Sequence, residues 1–159
     1  MLKASKIKPF LWFEHKAEEA AKFYTSIFRN SKIGRIARYP AGSPAPAGGV
    51  MTVEFTLEGQ DFIALNGGPQ FKFNEAISLS VECQTQEEID HYWQRLLAGG
   101  GTPVQCGWLK DRYGLSWQVN PTLLADVFAG ADAKRAERVM QAMLTMVKFD
   151  IRKLEEAAK

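Results

Sequence analysis

Glu54 and Glu82 each stand in a stretch whose alternate residues are apolar, Met51, Val53 and Phe55 in the first and Ile77, Leu79 and Val81 in the second. Two carboxylates in one desolvated cleft disfavour each other's ionisation, which leaves one of them able to work as a general base, so this pair is the catalytic candidate. One solvated carboxylate on each strand is the plainer reading. Strand alternation puts Ser78, Ser80 and Glu82 on one face of one strand, and Thr52, Glu54 and Thr56 on one face of another. Applied along the chain, it adds Lys8, Phe10 and Trp12, then Phe62, Ala64 and Asn66, then Ser116, Gln118 and Asn120. A face that mixes carboxylates, hydroxyls, amides and aromatics has the composition of a small-molecule pocket. The same pattern also describes a solvated sheet face, and exposed Phe10, Trp12 and Phe62 weigh against that reading. The ligand-binding candidates are Trp12, Asn66, Ser78, Ser80, Trp108 and Gln118.

Other reactive residue types are sparse. A nucleophilic cysteine needs a neighbouring base or cation, and Cys106 has Lys110 and Arg112 close in sequence but no histidine. An inert thiol beside the turn glycine Gly107 is the plainer reading. A bond between Cys83 and Cys106 would require their atoms to meet, and a reducing compartment argues against it. His15 falls in a turn and His91 in a helix, as surface or packing residues, so no metal site is expected. Phe71, Phe73 and Trp108 are either walls for a ligand or core contacts.

The elements that position these residues come in a repeated order. A strand over Ile7 to Phe13 leads into a helix with apolar Ala20, Phe23, Tyr24, Ile27 and Phe28 at helical spacing. Strands follow at Lys32 to Tyr39, Val50 to Leu57 and Asp61 to Asn66, the last two joined by a tight turn at Glu58-Gly59-Gln60. The Pro- and Gly-rich stretch from Pro40 to Gly49 is a solvated loop, either a lid or a mobile connection. The order then returns: a strand at Ile77 to Cys83, a capping box at Thr85-Gln86-Glu87-Glu88, and a helix ended by Gly99-Gly100-Gly101. Strands at Pro103 to Lys110 and Leu115 to Asn120 complete it, with a turn at Asp111 to Gly114. Glu18-Glu19 and Phe23-Tyr24 correspond to Glu87-Glu88 and Tyr92-Trp93 at one common offset, the mark of a duplication. Beyond Pro121 lies a helical tail: a short apolar piece at Leu123 to Phe128, a helix capped by Asp132 and a last helix capped by Asp150. The middle helix carries a stripe of Ala136, Val139, Met140, Met143, Met146 and Val147, which suits core or subunit packing better than a ligand box.

At 159 residues, 46% of them hydrophobic and 24% charged, the chain has enough apolar surface to fold without disulfide or metal staples, which excludes disorder, collagen-like repeats and a coiled coil. Twenty Lys and Arg against 18 Asp and Glu, scattered among one another, give no electrostatic case for nucleic acid or an anionic membrane. Met1 to Phe10 lacks the pattern of a secretory leader, and no apolar run approaches the ~20 residues of a membrane span. A cytoplasmic location is expected.

The duplicated βαβββ order, the Ala-Glu-Glu-Ala-Ala-Lys-Phe-Tyr helix at 17 to 24 and the Asp-x-x-Gly turn at Asp111 to Gly114 resemble the vicinal oxygen chelate superfamily of glyoxalases, bleomycin-resistance proteins and extradiol dioxygenases. Leu65-Asn66-Gly67-Gly68-Pro69, Cys106-Gly107-Trp108 and Gly114-Leu115-Ser116-Trp117-Gln118 resemble its PhnB-like branch, often labelled demethylubiquinone methyltransferase. The resemblance implies an α+β fold of two βαβββ modules, about 7–66 and 77–120, forming a curved mixed sheet with helices on one face. Residues 1–121 would form this domain, and 122–159 a tail packed on it or on a partner subunit of a homodimer. The superfamily's enzymes hold a divalent metal with His, Glu or Gln from four strands, and strand matching brings Lys8, Ala64, Ala76 and Gln118 to those places. Only Gln118 has a donor, so the expectation is a metal-free, cofactor-free protein binding an unidentified small molecule. The alternative is an enzyme of the same fold, either a metal-dependent lyase or dioxygenase or a metal-free acid/base catalyst. Methyl transfer is not expected, because the glycines do not lie in a turn between a strand and a helix.

Overall fold

The computed structural model describes residues 5–159, so the reading of Met1 to Phe10 as leaderless falls partly outside the described residues. The chain divides into two compact units, one ending at Phe73 and the other beginning at Asn74. Each repeats the βαβββ order, and the second adds three helices.

In the first unit, β1 (Phe10–Phe13), α1 (Ala17–Ile27), β2 (Lys32–Arg38), β3 (Val50–Leu57) and β4 (Gln60–Asn66) form a sheet in the order β1-β4-β3-β2. Strands β1 and β4 run parallel, which the long connection through α1, β2 and β3 permits, and the other pairs are antiparallel. Helix α1 buries Ala17, Ala20, Ala21, Tyr24 and Ile27, one stripe of a 3.6-residue repeat. Tyr24 stacks on Phe55 at 6.2 Å between centroids, and Phe55 on Phe62 at 5.3 Å. Burying each such ring stabilises the unit by roughly 1.5–3 kcal/mol.

One strand faces the other way from the sequence expectation. Phe62 and Ala64 are buried beside α1, and Ile63 and Leu65 are the half-exposed residues. The register explains it: Phe62 pairs with Phe55 and Ala64 with Val53, so these four share the core face. A strand of Phe, Ile, Ala, Leu has no polar residue to mark its open side, and the pairing partner decides.

In the second unit, β5 (Leu79–Cys83), α2 (Gln86–Leu97), β6 (Thr102–Pro103), β7 (Trp108–Lys110) and β8 (Ser116–Pro121) form a sheet in the order β5-β8-β7-β6. Leu109, Trp117 and Val119 are buried on the side packed by α2. The cap on α2 holds in part: Thr85 Oγ1 accepts from the Glu88 N–H at 3.2 Å, and the Glu88 carboxylate reaches the N–H of Gln84, one residue before the expected one. Ile77, read as a core strand residue, is 62% exposed and precedes β5.

The stretch Pro103 to Lys110 is not one strand. Between β6 and β7 the chain reverses through Cys106 at φ +56° and Gly107 at φ +78°, the left-handed region. The N–H groups of Cys106 and Gly107 donate to Met146 (2.9 Å) and Val147 (2.7 Å), so this turn bonds to the tail instead of extending the sheet.

The tail consists of α3 (Leu123–Ala129), α4 (Ala133–Met143) and α5 (Ile151–Ala157), with Asp132 and Asp150 capping the last two as expected. Helix α4 stops at Met143, so Met146 and Val147 lie beyond it. Val139 and Met146 are buried, whereas Met140 and Val147 are 41% exposed. The Gln86 side chain fastens the tail to α2, donating to the Phe149 carbonyl at 3.0 Å and accepting from the Ile151 N–H at 2.8 Å. Among the described residues no helix is long and apolar enough to cross a membrane.

Candidate functional site

The open face of the second unit carries a continuous polar ladder. Register puts Ser80 opposite Gln118, Glu82 opposite Asn120 and Trp108 opposite Gln118 on the face away from α2. Gln118 Nε2 donates to Ser78 Oγ at 3.0 Å, and Asn120 Nδ2 donates to Gln118 Oε1 at 3.2 Å and Ser80 Oγ at 2.9 Å. Ser80 then donates to the Glu82 carboxylate at 2.7 Å. The structure thus brings together Ser78, Ser80, Glu82, Trp108 and Gln118, five of the sequence candidates. Asn120, recognised by alternation but not chosen, is the residue that links Gln118 to Ser80. Towards the other end of the face, Lys110 forms an ion pair with Glu75, and the Ser116 hydroxyl is buried.

Burial separates the thiols of this unit. Cys83 has no exposed surface, and desolvation, with Glu88 and Glu82 adding to it, pushes its thiol up to about 12. Cys83 and Cys106 are both free, and the Cys106 thiol lies 3.5 Å from the Met143 carbonyl.

The remaining candidates lie in the first unit. Glu54 is on the open face, paired with Arg35 at 2.8 Å, with its own side chain 31% exposed. Glu54 is held by the Arg35 guanidinium in the first unit, and Glu82 is exposed in the second. Trp12 shares the face of Leu65 and Thr52 by register. Its indole N–H donates to the Gly68 carbonyl at 2.9 Å, and its ring meets Phe71 edge to face at 4.9 Å. Gly67 gives that ring its room, since a Cβ there would come within 2.4 Å of it.

Asn66 lies on the opposite face from Glu54, because β4 presents its core side at this position. Its Oδ1 accepts from the Ala17 N–H at 2.8 Å, its Nδ2 donates to the Val50 carbonyl at 3.1 Å, and its own carbonyl accepts from the Tyr39 hydroxyl. Asn66 therefore ties the start of α1 to the ends of β2 and β3. It also lines a depression of about 560 Å³ beneath the Pro40 to Gly49 loop, with His15, Tyr39, Pro46 and Gln70. The loop is closed at its neck by backbone bonds between Tyr39 and Gly48 and Gly49, each 2.8 Å.

The residues at the metal positions that the resemblance implies do not suit an ion. Ala64 points into the core, Ala76 is exposed ahead of β5, and the open-face neighbours of Ala64 are Ile63 and Leu65, which have no donor. Gln118 contributes one amide whose oxygen and nitrogen are engaged in the ladder. Among the described residues no three His, Cys, Asp or Glu side chains gather as a metal ion would need. The three strand-to-helix connections, Glu14-His15-Lys16, Gln84-Thr85 and Thr122, contain no glycine, so none offers the close backbone approach a nucleotide methyl donor requires.

A family model described as 3-demethylubiquinone-9 3-methyltransferase matches residues 5–120. A PhnB protein of Bacillus cereus, provisionally described by the same activity, is 41% identical over 74% of this chain and 100% of its own, with a TM-score of 0.67. Protein PA1353 of Pseudomonas aeruginosa matches 74% of this chain and 98% of its own at 20% identity and a TM-score of 0.60, a likeness of fold. No curated protein matches the chain. Two four-stranded mixed sheets built from a repeated βαβββ order are the arrangement that the sequence resemblance implied. The chain belongs to the PhnB-like family that carries the 3-demethylubiquinone-9 3-methyltransferase name.

Proposed function

We propose that this protein binds a small molecule on the open face of its second sheet without a metal ion. One observation carries the reading: the ladder Ser78, Gln118, Asn120, Ser80, Glu82 stands beside half-buried Trp108 on the face opposite the buried Leu109, Trp117 and Val119. An amide has four hydrogen-bonding positions and a hydroxyl three, so the ladder keeps donors and acceptors for a ligand after its internal bonds are made. Those bonds also hold the side chains in place beforehand, which lowers the ordering cost of binding. Trp12 and Glu54, on the open face of the first unit, are proposed as further ligand contacts. The metal-free part of the reading is supported by the unsuitable donor set, and the methyltransferase name is not adopted because no turn fits its cofactor.

The experiment is a thermal-shift screen of metabolites, with and without divalent ions, on the wild type and Gln118→Ala. A ligand that binds only the native state raises the apparent Tm by mass action, by an amount set by its concentration over its Kd. Hits that shift the wild type without ions and fail to shift Gln118→Ala are expected. Hits that require an added ion, or that shift both proteins equally, contradict the reading. Homodimerisation and a cytoplasmic location belong to the same proposal, and light scattering after gel filtration checks the first, a monomer refuting it.

A further inference from the structure

The ladder occupies one end of the open face, and the other end has a different chemistry. Lys110 on β7 pairs in register with Ser116 on β8, so their Cβ atoms are neighbours on one face, about 5 Å apart. Ser116 is 1% exposed and its hydroxyl has no hydrogen-bond partner among the described residues, a state that most buried polar groups avoid. Beside an ammonium, the favourable partner for that hydroxyl is an acceptor, since a ligand cation would be repelled. The Glu75 carboxylate pairs with Lys110 from the segment before β5 and leaves the Ser116 hydroxyl without an acceptor. That pair is poorly sheltered, its side chains 38% and 59% exposed, so the attraction is weak and a competing anion can replace Glu75. Trp108, two residues from Lys110 and on the same face, offers a ring surface about 7 Å along the strand.

We infer that Lys110 and Ser116 form the acid-recognising end of this site, which takes a small planar carboxylate whose ring lies along Trp108 while its carboxylate displaces Glu75. The inference rests on the reading that this face binds a small molecule, and it names the class. One carboxylate oxygen meets the ammonium and the other accepts from the Ser116 hydroxyl, which ends that hydroxyl's isolation. Glu75 acts as an internal stand-in that keeps Lys110 paired when no ligand is bound. The Lys110 hydrogen bond, with its charge adding less, holds the Glu75 carboxyl below the usual carboxylate range, so the stand-in stays ionised in mildly acidic solution.

The test is a titration of the full-length protein by amide-resolved NMR with benzoate, its neutral counterpart benzamide, and inorganic phosphate. Benzoate is expected to shift the amides of Trp108, Lys110 and Ser116, and to bind at least about tenfold more tightly than benzamide, as charge-assisted hydrogen bonds outweigh neutral ones. Glu75→Gln removes the competitor and should tighten benzoate about two- to fivefold, the scale of an exposed ion pair. Lys110→Gln should abolish the preference for benzoate over benzamide. Ser116→Ala should weaken benzoate several-fold at unchanged Tm, because removing an unpartnered hydroxyl costs the fold nothing. Equal binding of benzoate and benzamide at this face overturns the carboxylate class and leaves the small-molecule reading standing. Phosphate competing as well as benzoate overturns the class in favour of a general anion site. Silence of all three probes at these amides overturns the assignment, and a neutral hit lost in Gln118→Ala would still uphold the reading beneath it.

Discussion

Gln118 and Asn120 bond to each other and to serines on the neighbouring strand, in surroundings half open to water. Hydrogen bonds made there replace bonds to water and contribute about 1 kcal/mol or less each to stability. Gln118→Ala should therefore fold with a Tm close to wild type, which allows its lost binding to be read as lost recognition. Cys83 behaves in the opposite manner, since burial defines it. A thiol that ionises near its ordinary ~8.5 in the unfolded chain, but is pushed up to about 12 when folded, keeps its proton longer in the native state. The unfolded state thus binds fewer protons across that window, and stability falls as pH rises from about 9 towards 12. At about pH 8, where an exposed thiol is partly ionised, iodoacetamide should leave Cys83 unlabelled in the native protein and label it in urea. Labelling at equal rates in both states contradicts this assignment.

Among the elements, the turn that re-enters β8 depends on one side chain. Asp111 is 3% exposed and accepts from the N–H groups of Tyr113 (2.8 Å) and Leu115 (3.1 Å) and the Trp117 indole (2.9 Å). Asp111→Ala strands these donors and should cost about 3 kcal/mol in urea unfolding, and a loss under about 1 kcal/mol would show that water replaces the carboxylate. Gly107 sets the second turn, with φ at +78° and an added Cβ only 2.3 Å from the Phe149 ring. Gly107→Ala combines backbone strain with overpacking, about 2–4 kcal/mol together, and should loosen the tail first. Hydrogen exchange checks the order: α5 amides losing protection no faster than those of β8 would contradict it.

These turns also explain which elements are legible in sequence. Tyr24, Ile27 and the caps at Asp132 and Asp150 follow local rules that a single chain displays, and they stand as read. The reversal at Cys106 is not local: its N–H groups bond to Met146 and Val147, forty residues away in sequence by the pairing itself (146 minus 106). The facing of β4 is likewise set by its partners Val53 and Phe55, not by its own composition. For the site, alternation located Ser78, Ser80, Glu82 and Gln118 on one face, yet it could not reveal that Asn66 spends its amide on Ala17 and Val50. Nor does alternation disclose a hydroxyl without a partner, as at Ser116.

At the scale of the whole molecule, two units share one βαβββ plan and differ in what the plan carries. The first spends polar side chains on holding itself together, with Asn66 and Tyr39 at the end of its sheet and Arg35 on Glu54. The second keeps an open polar face and adds a tail that braces the opposite side through Gln86 and Phe149. The open face of the second unit presents amides, hydroxyls and an indole, donors suited to organic ligands and poor for first-row cations.

The most direct test of that contrast is a calorimetric titration of chelator-treated protein with a ligand from the screen, repeated after equimolar zinc, nickel, iron(II) or manganese is restored. The account predicts one Kd throughout and no metal retained after gel filtration. A stoichiometric ion bound by the protein, with ligand affinity appearing only in its presence, would contradict it.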